Sequence, residues 1–245
     1  MPVVVFANPK GGAGKSTSAV ILSTELARKG AAVTILDADP NKPVSTWAKL
    51  PNSPSNIAVL GDVSETSIID EIEAASARTP FVVVDLEGTA SMMVAYAISR
   101  ADLVIIPVQG SQLDAAEAAK AIKLIKQQER AFHRSIPFAI LFTRTNAAIK
   151  PRTLLHIQEE FATHGVRSFR SQLNEREAFR ALFSFGGTLE TLDAKQVGNL
   201  SKAISNARAY TAEVVAMLRG EAPPKVEEAE EIEQETEEEV MTHGR

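Results

Sequence analysis

The chain has 245 residues, enough for one domain that buries most of its apolar surface, and its 44% hydrophobic and 23% charged content is ordinary for a soluble fold. It has no cysteine, which excludes disulfides, thiolate metal sites and iron–sulfur chemistry and fits a reducing cytoplasm. The formal net charge of −5 hides a divided chain: residues 221–245 hold ten acidic and two basic groups, whereas residues 143–219 hold 11 basic against 7 acidic.

The first apolar run, Val3–Ala7, is far too short for a signal peptide or a membrane span and leads straight into glycines, so it reads as a buried first strand. A helical pattern follows over Gly14–Lys29. Further strands are expected at Ala32–Asp37, Ile57–Leu60, Phe81–Asp85, Leu103–Val108 and Pro137–Phe142, with helices at Ser64–Ser76, Met92–Ser99 and Leu113–Phe132 between them. Continuous apolar strands separated by helices imply βαβ crossovers and a parallel sheet buried on both faces. After Phe142 the pattern becomes mainly helical, over Arg152–Thr163, Glu175–Ser184 and Ala194–Arg219. The expected fold is therefore α/β, a single domain over residues 1–219 whose mostly parallel twisted sheet carries helices on both faces. Residues 220–245, with two prolines and dense like charge, are expected to form an acidic disordered tail. Such a tail solubilises the chain; a sharper reading is competition with nucleic acid for a basic surface.

Chemistry concentrates in Lys10-Gly11-Gly12-Ala13-Gly14-Lys15-Ser16-Thr17, between the first strand and the first helix. Small residues let successive backbone N–H groups point at an anion, and the helix that starts there adds its N-terminal dipole. In such a loop Lys15 reaches the β- and γ-phosphates, and the Ser16 hydroxyl is offered to Mg²⁺. Two strands end in carboxylates: Asp37-Ala38-Asp39-Pro40-Asn41 and Phe81-Val82-Val83-Val84-Asp85. Carboxylates at that edge of a parallel sheet stand beside the phosphate loop. Taken alone, Asp-Pro-Asn also makes a polar turn, and an Asp closing a strand also caps one.

The ordinary motif asks for glycine where Pro9 stands, and Lys10 adds a second lysine. KGGAGKST resembles the deviant Walker A motif of the ParA/MinD superfamily. That resemblance implies ATP and Mg²⁺ as ligands and a nucleotide-sandwich homodimer in which Lys10 reaches the phosphates bound by the other subunit. It also implies that Gly11 to Thr17 hold the nucleotide, that Asp39 positions the attacking water, and that Asp37 and Asp85 serve Mg²⁺ with Ser16. Leu86-Glu87-Gly88-Thr89 lacks the family's usual proline. Gln109-Gly110-Ser111-Gln112-Leu113-Asp114 is similar to another family segment, with Gly110 in place of proline. Relatives place base contacts where Arg144 and Asn146 stand. Glu175–Phe179 is similar to the VirC-type conjugation accessory ATPases.

The absence of cysteine sets aside the nitrogenase-type reductases and iron–sulfur scaffolds of this superfamily. A glutamate-rich end is unlike the basic amphipathic helix of MinD-type membrane binders, so no membrane partner is expected. The resemblance implies a cytoplasmic, nucleoid-associated bacterial ATPase, slow without a stimulating partner protein, that binds DNA non-specifically and positions DNA or a protein cargo. Arg152, Arg167, Arg170, Arg180, Lys195, Lys202 and Arg208 are the candidate phosphate contacts, with about half expected to be ordinary solvated charges. Two other readings stay open: a scaffold ATPase acting through protein contacts, and a metabolic ligase of the same fold.

Overall fold

The computed structural model describes residues 1–88 and 91–222. Thr89, Ala90 and residues 223–245, the last containing nearly all of the expected acidic tail, lie outside the described residues. Seven strands, β1 (Val3–Phe6), β2 (Val33–Ala38), β3 (Ile57–Leu60), β4 (Phe81–Leu86), β5 (Leu103–Val108), β6 (Phe138–Thr145) and β7 (Leu173–Asn174), form one sheet in the order β3-β2-β4-β1-β5-β6-β7. Every pairing is parallel. The helices are α1 (Lys15–Arg28), α2 (Pro43–Ala48), α3 (Ile68–Arg78), α4 (Met92–Arg100), α5 (Gln112–Phe132), α6 (Arg152–Thr163), α7 (Glu177–Phe185) and α8 (Leu200–Arg219).

Strand alternation divides the core into two layers. On β1, Val4 and Phe6 pack towards Ala19 and Ile21 of α1 and Ala203 and Ala207 of α8. Val3 and Val5 face the opposite layer, with Ile98 of α4, Ile125 of α5 and Leu154 of α6. This is why β1 carries no polar residue: both of its faces are covered. The helices expected on either side of the sheet are present, and the sheet is wholly parallel.

Three elements depart from the sequence expectation. The six-residue α2 has Pro43 in its first turn and buries Val44 and Trp47, one turn apart, too short a pattern for periodicity to reveal. Strand β7 is two residues long and pairs with β6 across a register shift between Thr143 and Thr145, where Arg144 has φ 51°. Helix α8 begins at Leu200 rather than Ala194, because Asn199 is left-handed at φ 58° and residues 193–197 fold into a separate turn. Its far end is closed by Gly220, also left-handed, whose N–H donates to the Met217 carbonyl at 3.1 Å.

A carboxylate is buried where α1, α8 and the turn at Leu189–Thr191 meet. Glu25 is 1% exposed and accepts from Arg28 Nε at 3.0 Å, while Glu190 lies 3.6 Å from both Arg28 and Arg208. Burial, reinforced by the Glu190 charge and opposed by the arginines, raises Glu25 to about 7. A carboxyl group whose folded pKa lies above its unfolded value contributes most stability at low pH, and that contribution is lost as pH rises towards about 7. Glu25→Gln is therefore expected to raise Tm relative to wild type at pH 8, with the gap closing by pH 5. Thermal melts at the two pH values check this; a gap that is constant or widens on acidification contradicts it.

Candidate nucleotide-binding site

The strand register brings the expected groups into one row. Phe6, at the end of β1, pairs with Asp85 of β4, and Asp85 pairs with Asp37 of β2. The glycine loop thus leaves the central strand with both carboxylates beside it, outside the carboxyl ends of the strands. Gly12 and Gly14 have φ of 76° and 99°, which a side chain would strain, and a Cβ on Gly14 would also press on Thr143 at 3.3 Å.

Side chains to which the sequence assigned no role in this loop latch it. Asn8 donates through Nδ2 to the Pro107 carbonyl at 2.6 Å and accepts from Lys10 N at 2.8 Å. Gln109 donates to the Gly12 carbonyl at 2.8 Å, and Thr143 donates to the Ala13 carbonyl at 2.7 Å. The loop is therefore fixed to β5 and β6 as well as to its own strand. Gly88 adds a close approach: a Cβ there would lie 2.7 Å from Gly11 N. Gly88→Ala is expected to push the loops apart, costing about 1–3 kcal/mol of stability. It should also weaken nucleotide binding, which urea unfolding and nucleotide titration of the same preparation would measure.

The two lysines of the loop differ in setting. Lys15 is 5% exposed and its Nζ donates to the carbonyls of Asn8 at 3.1 Å and Lys10 at 3.2 Å. Burial lowers its pKa, while Asp85, Asp39 and Glu87 act to raise it. Lys10 is half-buried, with Nζ 2.7 Å from Oδ1 of Asp114. Asp114 is itself 1% exposed and also accepts from the Ser111 hydroxyl, which in turn caps α5. The sequence marked Asp114 only as part of a family-like segment; its pairing with Lys10 needed the fold.

Asp37 and Asp85 are fully buried. Asp37 accepts from Ser45 N at 2.7 Å through Oδ2, leaving Oδ1 without a hydrogen-bond partner among the described residues. Neither oxygen of Asp85 has one. Burial raises Asp85 to about 7, helped by the charges of Asp37 and Asp39, while the nearby Ser16 hydroxyl and Lys15 oppose it. Orphaned buried carboxylate oxygens beside a hydroxyl suit a hard cation that takes only oxygen ligands. No cluster of three or more acidic, histidine or cysteine ligands occurs among the described residues. Asp39 is half-buried, its Oδ1 held by the Asn41 backbone at 2.8 Å and side chain at 3.0 Å.

Two adjoining cavities share Gly14, Thr17 and Arg144. The polar one, about 370 Å³, is lined by the glycine loop, Asp39, Asn41 and Glu87. The other, about 290 Å³, runs past Leu173, Phe179 and Phe183. Arg144 is exposed between them, whereas Asn146 accepts from Ala148 N and Ile149 N and lines a different cleft. Strand β7 and α7 supply the apolar wall, and β7 was too short to be read from sequence.

The basic residues expected at DNA are only partly gathered. Arg170 and Lys202 share a cleft, while Arg152 opens α6, Arg167 follows it and Lys195 lies in the turn before α8. Arg180 edges the apolar cavity and pairs with Glu175 at 2.9 Å and Glu177 at 2.7 Å. Arg208 is withdrawn as a DNA contact: its side chain is 11% exposed and lies 3.6 Å from Glu190, so its charge is engaged within the fold.

Comparison with known proteins agrees with this geometry. The VirC1 protein family model matches residues 1–218. Protein ParA of Rhizobium radiobacter is 46% identical over 218 residues, covering 89% of this chain and 98% of that protein. Among solved structures, an ATP complex of a McdA variant from Cyanothece superposes with TM-score 0.66 at 16% identity, covering 92% of this chain and 98% of that one. The MinD cell division protein of Aquifex aeolicus gives TM-score 0.65 at 18% identity, covering 91% and 99%. No helix among the described residues is long and apolar enough to cross a membrane. With residues 1–218 matched by one family model, its loop bearing the second lysine and its sheet shared with these structures, the chain belongs to the VirC1 family within the ParA/MinD superfamily of P-loop ATPases.

Proposed function

We propose that the protein is an ATP-switched positioning ATPase: it binds ATP, pairs with a second copy across the nucleotide, holds DNA without sequence preference, and releases it after hydrolysis stimulated by a partner protein. The observation that carries this is the division of labour between the lysines. Lys15 is folded into its own loop, whereas Lys10 is only half-buried and its ammonium is held by Asp114 rather than by the loop. A cation so placed is available to the phosphates of a facing subunit, where it would neutralise charge that develops on transfer.

On this reading Lys15 and the loop amides bind the phosphates, and the apolar cavity beside Thr17 and Phe179 takes the adenine, with Arg144 at the junction. Ser16, Asp85 and Asp37 would hold Mg²⁺, which would supply positive charge to the phosphates. Asp39, pinned through Oδ1 to Asn41, orients the attacking water. The names of the relatives support positioning: one is a ParA, and another, 27% identical over 192 residues, is a carboxysome distribution protein from Gloeobacter kilaueensis. The surface cations Arg152, Arg167, Arg170, Lys195 and Lys202 supply phosphate contacts, so DNA affinity should fall steeply with salt.

Co-sedimentation with random-sequence duplex DNA in ATP, in ADP and without nucleotide, at two salt concentrations, tests this reading. ATP-specific, salt-sensitive binding supports it; binding that ignores the nucleotide defeats it. Asp39→Ala should retain ATP and stay on DNA, with hydrolysis reduced by on the order of 100-fold. The VirC1 family match favours a second reading, a scaffold that recruits other machinery through protein contacts. ATP-dependent capture of a protein partner with negligible affinity for DNA would select it.

A further inference from the structure

A cleft of about 500 Å³ lies between the loop after β6, the segment around β7 and the first turns of α8, and meets the apolar cavity at Asn174 and Arg176. Lys150, Arg170, Arg176 and Lys202 line it with neutral amides, and no carboxylate does among the described residues. Beyond Gly220 the chain supplies the opposite charge: nine glutamates between Glu227 and Glu239, without a basic residue among them. The family match stops at residue 218, so this acidic run lies beyond what the VirC1 model shares with the chain.

We infer that the acidic C-terminal segment docks in the basic cleft of its own chain and holds other polyanions away from it. The reach is sufficient. Lys202 and Gly220 stand near opposite ends of α8, about 27 Å apart at 1.5 Å per residue. A chain covers at most about 3.5 Å per residue, so every glutamate from Glu228 onward can span that gap. Attachment also raises the local concentration of the tail far above that of a separate ligand. Lys150 and Lys202 are exposed, and each makes no ion pair with a described residue, so docking breaks no existing pair at these two positions. The contact requires neither nucleotide nor DNA, and its outcome is separate from that of the positioning reading.

The full chain without nucleotide is treated with a water-soluble carbodiimide, which joins a carboxylate to an amine in contact with it, and the linked peptides are identified by mass spectrometry. Intramolecular links from Lys150 and Lys202 to Glu228–Glu239 are expected at low salt. They should be lost in about 1 M salt, where the screening length is about 3 Å. Because both lysines hold the same segment, Lys202→Ala should lower the yield at Lys150 by about threefold, and Lys150→Ala the yield at Lys202 likewise. Links spread evenly over other exposed lysines such as Lys29, Lys49 and Lys120, links only between copies, or yields untouched by these substitutions overturn the inference. So does protection of both lysines by a random-sequence duplex when no tail link forms in its absence, which gives the cleft to nucleic-acid phosphates.

Discussion

Lys15→Ala is expected to weaken ATP binding by on the order of 100-fold, the size of effect seen when one partner of a desolvated charge pair is removed. Lys15 is 5% exposed and surrounded by the charges of Asp85, Asp39 and Glu87. Without it, the entering phosphates meet those carboxylates with no loop cation between them. Its own burial lowers its pKa, so the ammonium is held at a cost in the empty site. Removing it should therefore leave Tm without nucleotide unchanged or raised. Titration with a fluorescent ATP analogue, paired with a melt, separates the two effects. An affinity within threefold of wild type would remove Lys15 from the phosphate site, whereas a collapse in Tm would mark a structural role. Lys10→Ala should behave differently, leaving ATP binding by the single subunit nearly intact and acting where two subunits meet.

Trp47→Ala is expected to cost about 3–5 kcal/mol of unfolding free energy, the range for truncating a large buried aromatic. Trp47 is 1% exposed and packs α2 into the layer containing α7, and its Nε1 donates to the Gly187 carbonyl at 3.1 Å. The loss should extend to the site, because Ser45, two residues before Trp47 in the same short helix, offers its N–H to Asp37. Denaturation followed by circular dichroism is the appropriate measurement, since Trp47 is the sole tryptophan. Trp47→Phe keeps much of the packing, loses the bond to Gly187 and should recover more than half of the stability. Equal loss in both variants would place the contribution in the hydrogen bond instead.

Much of this architecture was legible in the residue order. The glycines, Lys15 and Ser16 stand between an apolar strand and a helix because a phosphate cradle needs small residues and a helix N-terminus together, a local requirement. Asp37 and Asp85 close apolar runs, and alternation of strand and helix demands a parallel sheet that lines such ends up. The second lysine marked the superfamily, and the VirC-like stretch agreed with the family match. Short elements were not legible. Helix α2 and strand β7 hold six and two residues, and neither carries a period; each exists because a neighbour covers it.

The sequence by itself determined the α/β class, the phosphate loop and its two strand-end carboxylates, since each depends on residues adjacent in the chain or on a repeating period. Only the tertiary structure decided which distant groups meet. It put Asp114 on Lys10 across 104 positions and Thr143 on the loop across 130, and it engaged Arg208 with Glu190 rather than with solvent. Such contacts depend on how crossovers fold strands and helices back on one another, and spacing along the chain does not encode that distance. The Lys10–Asp114 pair is the consequence that bears most on function: the signature lysine is seen in the sequence, but its tether to Asp114 is seen only in the fold.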